Sequence, residues 1–329
     1  MVSSSSDSQS VVKKIPFSDL RGISVGNAQN NEAKTGVTVF YFPDSACAAV
    51  KVLGGGPASR ETALLETERN TPPLNALVFA GGSTFGLEAS HGVMKCLEEA
   101  GVGYDTVYSI VPIVCQSDIY DLSYGKADVR PDIAMGYEAC KNAVEANRAE
   151  SGNIGAGTGA TVGKAKGMKQ SQKCGIGYAA ARIGDLMVGV AAVVNAYGDI
   201  YYHGEKIAGM TDGTRLAFQN AAEALYEMQP KNLLTGNTTL VAVFTNGNFD
   251  PTMLKKIANM SSAGFARAIC PVFTMADGDT IYAVSVGKSK VEANVNVAGT
   301  LAADLVEEAI RDAVLSSKIP DEEFMKNIF

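Results

Sequence analysis

Asn237-Thr238 is the dipeptide in this chain with the most chemistry within reach. A polar stretch, Leu234-Thr235-Gly236-Asn237, gives way there to the apolar, β-branched run Thr238-Thr239-Leu240-Val241-Ala242-Val243-Phe244-Thr245. Such a run reads as a buried strand, and a threonine at its mouth is held rigidly. The Gly236-Asn237 pair can take unusual backbone angles. A peptide bond placed in this way is suited to attack by the hydroxyl of the residue that follows it. After the cut, Thr238 carries a free α-amine with a reference pKa of about 8, against about 10.4 for lysine. Such an amine can act as base for the hydroxyl of its own residue. The same pattern also describes a plain turn before a core strand.

Other residues could assist. Gly155-Ala-Gly-Thr-Gly-Ala-Thr-Val-Gly163-Lys164 first suggests a phosphate loop, but Thr158 stands where that motif needs glycine, and Lys164 is followed by Ala165 rather than Ser or Thr. Two readings stay open for it: a tight structural loop, or a loop that brings N–H groups and Lys164 to a reacting carbonyl. Gly81-Gly82-Ser83-Thr84-Phe85 resembles a nucleophile elbow, yet Phe85 occupies its last glycine position, so Ser83 is expected to cap a helix. Asp277-Gly278-Asp279 reads as a turn, a cation site or an acid/base pair. Two carboxylates facing one site would raise one pKa by mutual repulsion. Asn195 closes the apolar run Leu186–Asn195 and could donate to an oxyanion or be satisfied locally. Tyr120, in Ile119-Tyr120-Asp121-Leu122, reads as a packed aromatic.

The elements that must position these residues follow from pattern. Strands are predicted at Gly36–Phe42, Cys47–Leu53, Leu74–Ala80, Val107–Val114, Leu186–Asn195, from Thr238 onward and at Thr280–Val286. Helices are predicted at Leu87–Ala100, Pro131–Glu150, Thr211–Gln229, Pro251–Gly264 and Ala293–Leu315. Gly54-Gly55-Gly56-Pro57 marks a turn where backbone passes close to something. Two helix-covered sheets fit this amount of apolar strand, with no linker dividing the chain. Met1–Lys14 is Ser-rich and expected to be a disordered tail, and Pro230–Asn237 an exposed, nickable loop.

Composition bounds the function. The 329 residues carry a formal net charge of -7, with 46% hydrophobic and 19% charged residues. With no Lys/Arg block, nucleic acid is not an expected partner. No apolar stretch is long enough to span a bilayer, and no secretory signal opens the chain. Six scattered cysteines without a CxxC pair suggest reduced thiols and a cytoplasmic setting. Two histidines exclude a histidine-rich metal centre and give a Ser–His–acid triad little support. No cofactor or metal is expected.

Taken together, Gly22–Gly26, Thr35–Thr38, Gly81–Leu87, Ile119–Leu122, Gly155–Gly157, Gly163-Lys164, Val194-Asn195, Gly236–Thr239, Thr245-Asn246 and Asp277–Thr280 resemble one family. It comprises the L-aminopeptidase/D-esterases, the β-peptidyl aminopeptidases and the endo-type 6-aminohexanoate-oligomer hydrolases. The Asn-Thr-Thr junction is similar to the last branch more than to members with a serine nucleophile. The resemblance implies an α+β fold, a four-layer αββα sandwich of the N-terminal-nucleophile hydrolase type. It implies one domain over residues 15–329, self-cleaved between Asn237 and Thr238, with the two fragments staying together and the processed protomers assembling as a tetramer. It implies Thr238 as nucleophile, with Lys164, Asn195 and Tyr120 beside it and Asp277 and Asp279 close by. The implied activity is hydrolysis of amide bonds in small amino-terminated peptides, amides or oligomers. An acyltransferase using the same threonine, or an unprocessed small-molecule-binding protein, is the alternative. The stretch Lys166–Lys173 departs from the family pattern and leaves substrate shape open.

Overall fold

Along the strand that begins at Thr238, Leu240, Ala242 and Phe244 point to one face and Val241 and Val243 to the other, and both faces are fully buried. A strand with apolar residues on both faces needs cover on both sides, and the architecture follows from that requirement. The computed structural model describes residues 11–66, 73–227 and 236–328. Its principal elements are β1 (Ser24–Asn30), β2 (Thr35–Val52), β3 (Leu74–Ala80), α1 (Ala89–Glu99), β4 (Val114–Asp118), α2 (Ile133–Glu145), β5 (Ile176–Ile183), β6 (Leu186–Asn195), β7 (Thr238–Thr245), α3 (Pro251–Ala268), β8 (Thr280–Ser285) and α4 (Val295–Ser316).

One sheet runs β5-β6-β7-β8 and ends on the second half of β2, whose Cys47–Val52 pairs with β8. The first half of β2 pairs with β1 and β3 in the other sheet, which continues to β4. β2 therefore passes from one sheet to the other, with a break in register between Tyr41 and Ala46. Gly36–Phe42 and Cys47–Leu53, expected as separate strands, are two parts of this one 18-residue strand. Pro43-Asp44-Ser45 interrupts the apolar pattern and Ser45 takes a positive φ of +57°, yet the strand continues on both sides of it.

Three apolar layers separate four structural layers. Phe40, Leu77, Phe79, Val193, Leu240, Phe244 and Tyr282 fill the space between the sheets. Val190, Val241, Val243, Ile281, Leu254, Val306 and Ile310 join one sheet to α3 and α4. Val37, Val39, Val78, Val93, Leu97 and Ala139 join the other to α1 and α2. This is the expected αββα sandwich.

Several boundaries differ from expectation, each for a local reason. The region Val107–Val114 is a small hairpin, Tyr104–Asp105 against Ile110–Val111, followed by β4, because Pro112 cannot donate to a ladder. Between Thr211 and Glu227 only Ala221–Tyr226 is helical. The Asp212 carboxylate accepts the N–H groups of Thr214 and Leu216, and a side chain that binds nearby backbone in this way competes with helix. Lys13–Lys14 pairs with Ala181–Arg182 at the sheet edge rather than belonging to a loose tail. Residues 1–10 of the expected tail and 230–235 of the expected exposed loop lie outside the described residues. Ser83 caps no helix: its φ is +54° and its side chain makes no cap bond, while Gly82 takes the N-cap position.

Phe244 touches the rings of Phe17, Phe40 and Phe42 at the centre of the inter-sheet layer. Phe244→Ala is expected to cost about 3–5 kcal/mol, read as a lowered midpoint in denaturant unfolding. A loss below about 1 kcal/mol would mean that this layer collapses around the gap.

Candidate functional site

Thr238 is the first residue of β7, and strand register fixes what surrounds it. Asn195, the last residue of β6, is its partner across the antiparallel pair. On the other side, Leu240 lies opposite Thr280, which brings the segment before β8 alongside the start of β7. That segment is Asp277-Gly278-Asp279, and Asp277 bridges to Asn237. Thr238, Asn195, Lys164, Asp277 and Asp279 are each at most 5% exposed.

The bond before Thr238 is held from several directions. Asn237 N–H donates to Ala276 O at 3.2 Å, and Gly278 N–H donates to Asn237 O at 2.8 Å. The Thr238 hydroxyl donates to the same Asn237 carbonyl oxygen. The hydroxyl of one residue and the carbonyl of the bond that precedes it are thus in direct contact. Gly236 has φ +105°, and a Cβ there would lie 2.7 Å from Cδ1 of Tyr120, so Tyr120 packs against the chain two residues before the threonine.

Asn195 is the hub of the second side. Its Oδ1 accepts from Lys164 Nζ at 2.8 Å and from Thr161 N–H at 3.1 Å, and its Nδ2 donates to Tyr120 O at 2.9 Å. Lys164 Nζ also donates to Asn195 O at 3.1 Å. The Gly155–Gly163 loop delivers Lys164, but it does not aim its amides at an open carbonyl. The N–H groups of Gly155, Ala156, Gly157, Thr158, Ala160, Thr161 and Gly163 all donate within the fold. The two readings of that loop each hold in part.

The carboxylates are fixed by backbone. Asp279 accepts from Thr239 N–H at 2.7 Å and Phe273 N–H at 3.1 Å. Asp277 accepts from Tyr197 N–H at 3.3 Å, Thr274 N–H at 3.2 Å and Thr274 Oγ1 at 2.5 Å. Burial, and then the neighbouring Asp277, push the Asp279 carboxyl up to about 8, against the two N–H donors that favour its anion. Burial also raises Asp277, opposed by its hydrogen bonds and by Lys164. Burial lowers Lys164 to about 7, opposed through space by Asp277, Asp121 and Asp279. Neither Asp277 nor Asp279 bonds directly to the Lys164 ammonium.

Sequence reasoning passed over two supports of this site. Asp121 is buried, and its carboxylate accepts from Thr35 Oγ1 and Gly82 N–H, each at 2.7 Å. It locks the loop that carries Tyr120; its adjacency to Tyr120, and the glycines it faces, were the available signal. The second is Gly278, whose N–H meets Asn237 O. Ser83 and His91 have no contact: His91 lies against Arg60 Nη1 instead, so no serine triad forms there. All six cysteines are free. Among the described residues no helix is long and apolar enough to cross a membrane, and no cluster of His, Cys, Asp or Glu could hold a metal ion.

Lys164 gives a pH signature. Its folded pKa of about 7 lies below the ordinary 10.5. Between those values the unfolded chain holds a proton that the folded chain has lost, so this group makes stability rise with pH over that window. The slope is at most about 1.4 kcal/mol per pH unit for one such proton. Lys164→Met removes it. Unfolding of both proteins at pH 7 and pH 9.5 should show wild type gaining on the variant as pH rises. Parallel profiles would place an ordinary, solvated ammonium at Lys164.

Comparison with known proteins gives the family and the fold. The sequence profile of Peptidase family S58 matches residues 16–321. The chain is 33% identical, over 300 residues, to an uncharacterized aminopeptidase of Mycobacterium leprae (strain TN), covering 85% of this chain and 81% of that one. It is 30% identical over 314 residues to a 6-aminohexanoate-oligomer endohydrolase of Kocuria sp. (strain KY2), covering 90% and 84%. In structure it is similar to the L-aminopeptidase D-Ala-esterase/amidase of Ochrobactrum anthropi, described as a variant of the Ntn hydrolase fold. The TM-score is 0.67 at 19% identity, over 92% of this chain and 86% of that one. A Burkholderia sp. β-aminopeptidase gives a TM-score of 0.64 at 19% identity, over 91% and 86%. With a family match over nearly its whole length and the Ntn hydrolase fold, this chain belongs to peptidase family S58, a family of amide hydrolases.

Proposed function

We propose that this protein cuts its own chain between Asn237 and Thr238, and that Thr238 then serves as the N-terminal nucleophile of an amide hydrolase. The observation that carries the reading is the contact between the Thr238 hydroxyl and the Asn237 carbonyl at the head of a buried strand. In self-cleavage, Thr238 Oγ adds to the Asn237 carbonyl carbon. The Oγ–C bond forms and the carbonyl electrons move to oxygen. Collapse expels the Thr238 nitrogen, which takes up the proton lost by the hydroxyl and leaves an ester. Water hydrolyses that ester to an Asn237 carboxyl group and a free Thr238.

The freed α-amine then acts as base for Thr238 Oγ in each turnover. Attack on a substrate amide gives an acyl-enzyme and releases the amine product, and water regenerates the hydroxyl. Asn195 holds Lys164 through Oδ1 and has a second Nδ2 hydrogen for the substrate oxyanion, a kind of donor worth about 3 kcal/mol in barrier. Asp277 and Asp279 face the new ammonium electrostatically, and Tyr120 lines the approach beside Gly236. Small amino-terminated peptides, amides and oligomers such as those of 6-aminohexanoate are the substrate class, because the relatives named for peptide ends and for amide oligomers match this chain over most of its length. The processed protomers form a homotetramer in this reading, which light scattering on the purified protein can test.

Three outcomes follow for Thr238. Wild type should yield a new N-terminus at Thr238 by mass spectrometry. Thr238→Ala should abolish both cutting and amide hydrolysis, since no oxygen remains to attack. Thr238→Ser should retain some of each but lose rate. Without the γ-methyl that fixes χ1, its hydroxyl spends less time in attack geometry, and a misplacement of about 1 Å can cost on the order of 100-fold. A folded alanine variant with near-normal hydrolysis would move the chemistry elsewhere. A transferase would instead show turnover that depends on an added amine acceptor.

A further inference from the structure

Gly54-Gly55-Gly56-Pro57 stood out in the sequence as a turn where backbone passes close to something, and the structure shows what it meets. Leu53 and Gly54 N–H donate to Asp279 O at 2.9 and 3.1 Å, Gly55 N–H to Thr274 O at 3.1 Å, and Gly56 N–H to Asp277 O at 2.8 Å. The turn is bonded to the Thr274–Asp279 segment at each of these positions. The approach leaves no room for side chains: a Cβ on Gly54 would sit 2.3 Å from Asp277 O.

Gly278 is enclosed in the same way on its other side. A Cβ there would fall 2.6 Å from Thr238 Oγ1 and 2.7 Å from Gly56 O. Its N–H points at Asn237 O at 2.8 Å, the oxygen that also accepts from the Thr238 hydroxyl. The carbonyl that the hydroxyl would attack thus already carries a backbone donor, in a site where the surrounding residues are buried. Negative charge developing on that oxygen meets a dipole that needs no reorganisation. The donor is already 2.8 Å from the carbonyl oxygen before attack, and such groups act at about 2.7–3.1 Å from the position the oxyanion takes up.

We propose that the Gly278 N–H is the oxyanion donor for self-cleavage at Asn237–Thr238, and that the Gly54–Gly56 turn is the clamp that positions it. The inference rests on the self-cleavage reading above. The electron pair displaced from the carbonyl when Oγ adds comes to rest on the oxygen facing Gly278 N–H. It returns when the Thr238 nitrogen departs. A glycine at 278 is required twice, once by the nucleophile and once by the clamp.

The competing reading is that this N–H only closes the β-bridge between Asn237 and Asp277. Replacing Gly278 by glycolic acid separates the two. The resulting ester at 277–278 removes one N–H and adds no atom to the crowded side. The full chain is made by cell-free synthesis with a suppressor tRNA carrying glycolate, beside the unmodified chain, and the 238–329 fragment is followed in time on denaturing gels. Cleavage of the folded ester chain is expected to slow by about 100- to 1,000-fold. An ester chain that folds and cleaves within threefold of the unmodified one overturns the role of Gly278 and leaves the Thr238 reading intact. An unmodified chain that never cleaves overturns both. For the clamp, Gly54→Ala should slow the first-order cleavage of already folded chains by on the order of 10- to 100-fold. Wild-type cleavage rate in a Gly54→Ala chain of unchanged circular dichroism would overturn the positioning role.

Discussion

The site depends on the register of β7 between its two neighbours. Because Asn195 lies opposite Thr238 on one side and Thr280 opposite Leu240 on the other, the ends of β6 and the start of β8 meet at one residue. A slip by a single position would turn Leu240 and Phe244 out of the inter-sheet layer and Val241 and Val243 into it. The packing that stabilises the sandwich therefore also sets where the hydroxyl lies. The chemistry-bearing residues come from strand ends and from the loops that follow them, and burial of the strands fixes their positions.

That placement has an electrostatic consequence. Lys164, Asp277 and Asp279 are nearly without solvent, and burial moves each toward its neutral form. Their partners are neutral: Asn195 for the lysine, backbone N–H groups and Thr274 for the carboxyls. Neutral hydrogen bonds orient such groups without cancelling their charge. The result is a lysine and a carboxyl, Lys164 and Asp279, brought to about 7 and about 8, with Asp277 shifted upward beside them and all three held apart by scaffold. Groups perturbed in this way cluster where protons are exchanged, whereas a structural ion pair would have joined the lysine to a carboxylate outright.

Much of this was legible before any coordinates. Leu74–Ala80 and Leu186–Asn195 were readable to the residue because each is a predominantly apolar run, the first bounded by Pro73 and Gly81 and the second closed by Asn195, and Thr280–Ser285 differs from expectation only at its last position. Asn195, Lys164 and the aspartates were singled out through the family resemblance, their own patterns leaving a structural reading open. What the sequence hid was of two kinds. The stretch from Thr211 to Asn220 was expected to be helical, yet Asp212 spends its carboxylate on local N–H groups, a competition that periodicity does not register. Asp121, Gly54 and Gly278 act through contacts to backbone far along the chain. Residue type predicts that such a glycine must approach something; only the fold says what.

The same register explains how a cut at Asn237–Thr238 could leave the molecule whole. Residues beyond Thr238 supply β7, α3, β8 and α4. β7 is bonded on one edge to β6, and β8 to β2, so the later segment is inserted between two strands of the earlier one. Releasing it would break two ladders and expose the layers on both faces, at an apolar cost of about 25 cal/mol for each Å² uncovered. Breaking one peptide bond changes none of those contacts. What it does change is charge. The amide becomes an Asn237 carboxylate and a Thr238 amine, the latter near two carboxyls that had only neutral hydrogen-bond partners. A cation formed there favours their ionised state, opposing the burial that raises their pKa values. Cutting would thus leave the packing as it was and add one ammonium and one carboxylate to a site whose charges burial disfavours. The change would be confined to the head of β7, at Asn237 and Thr238.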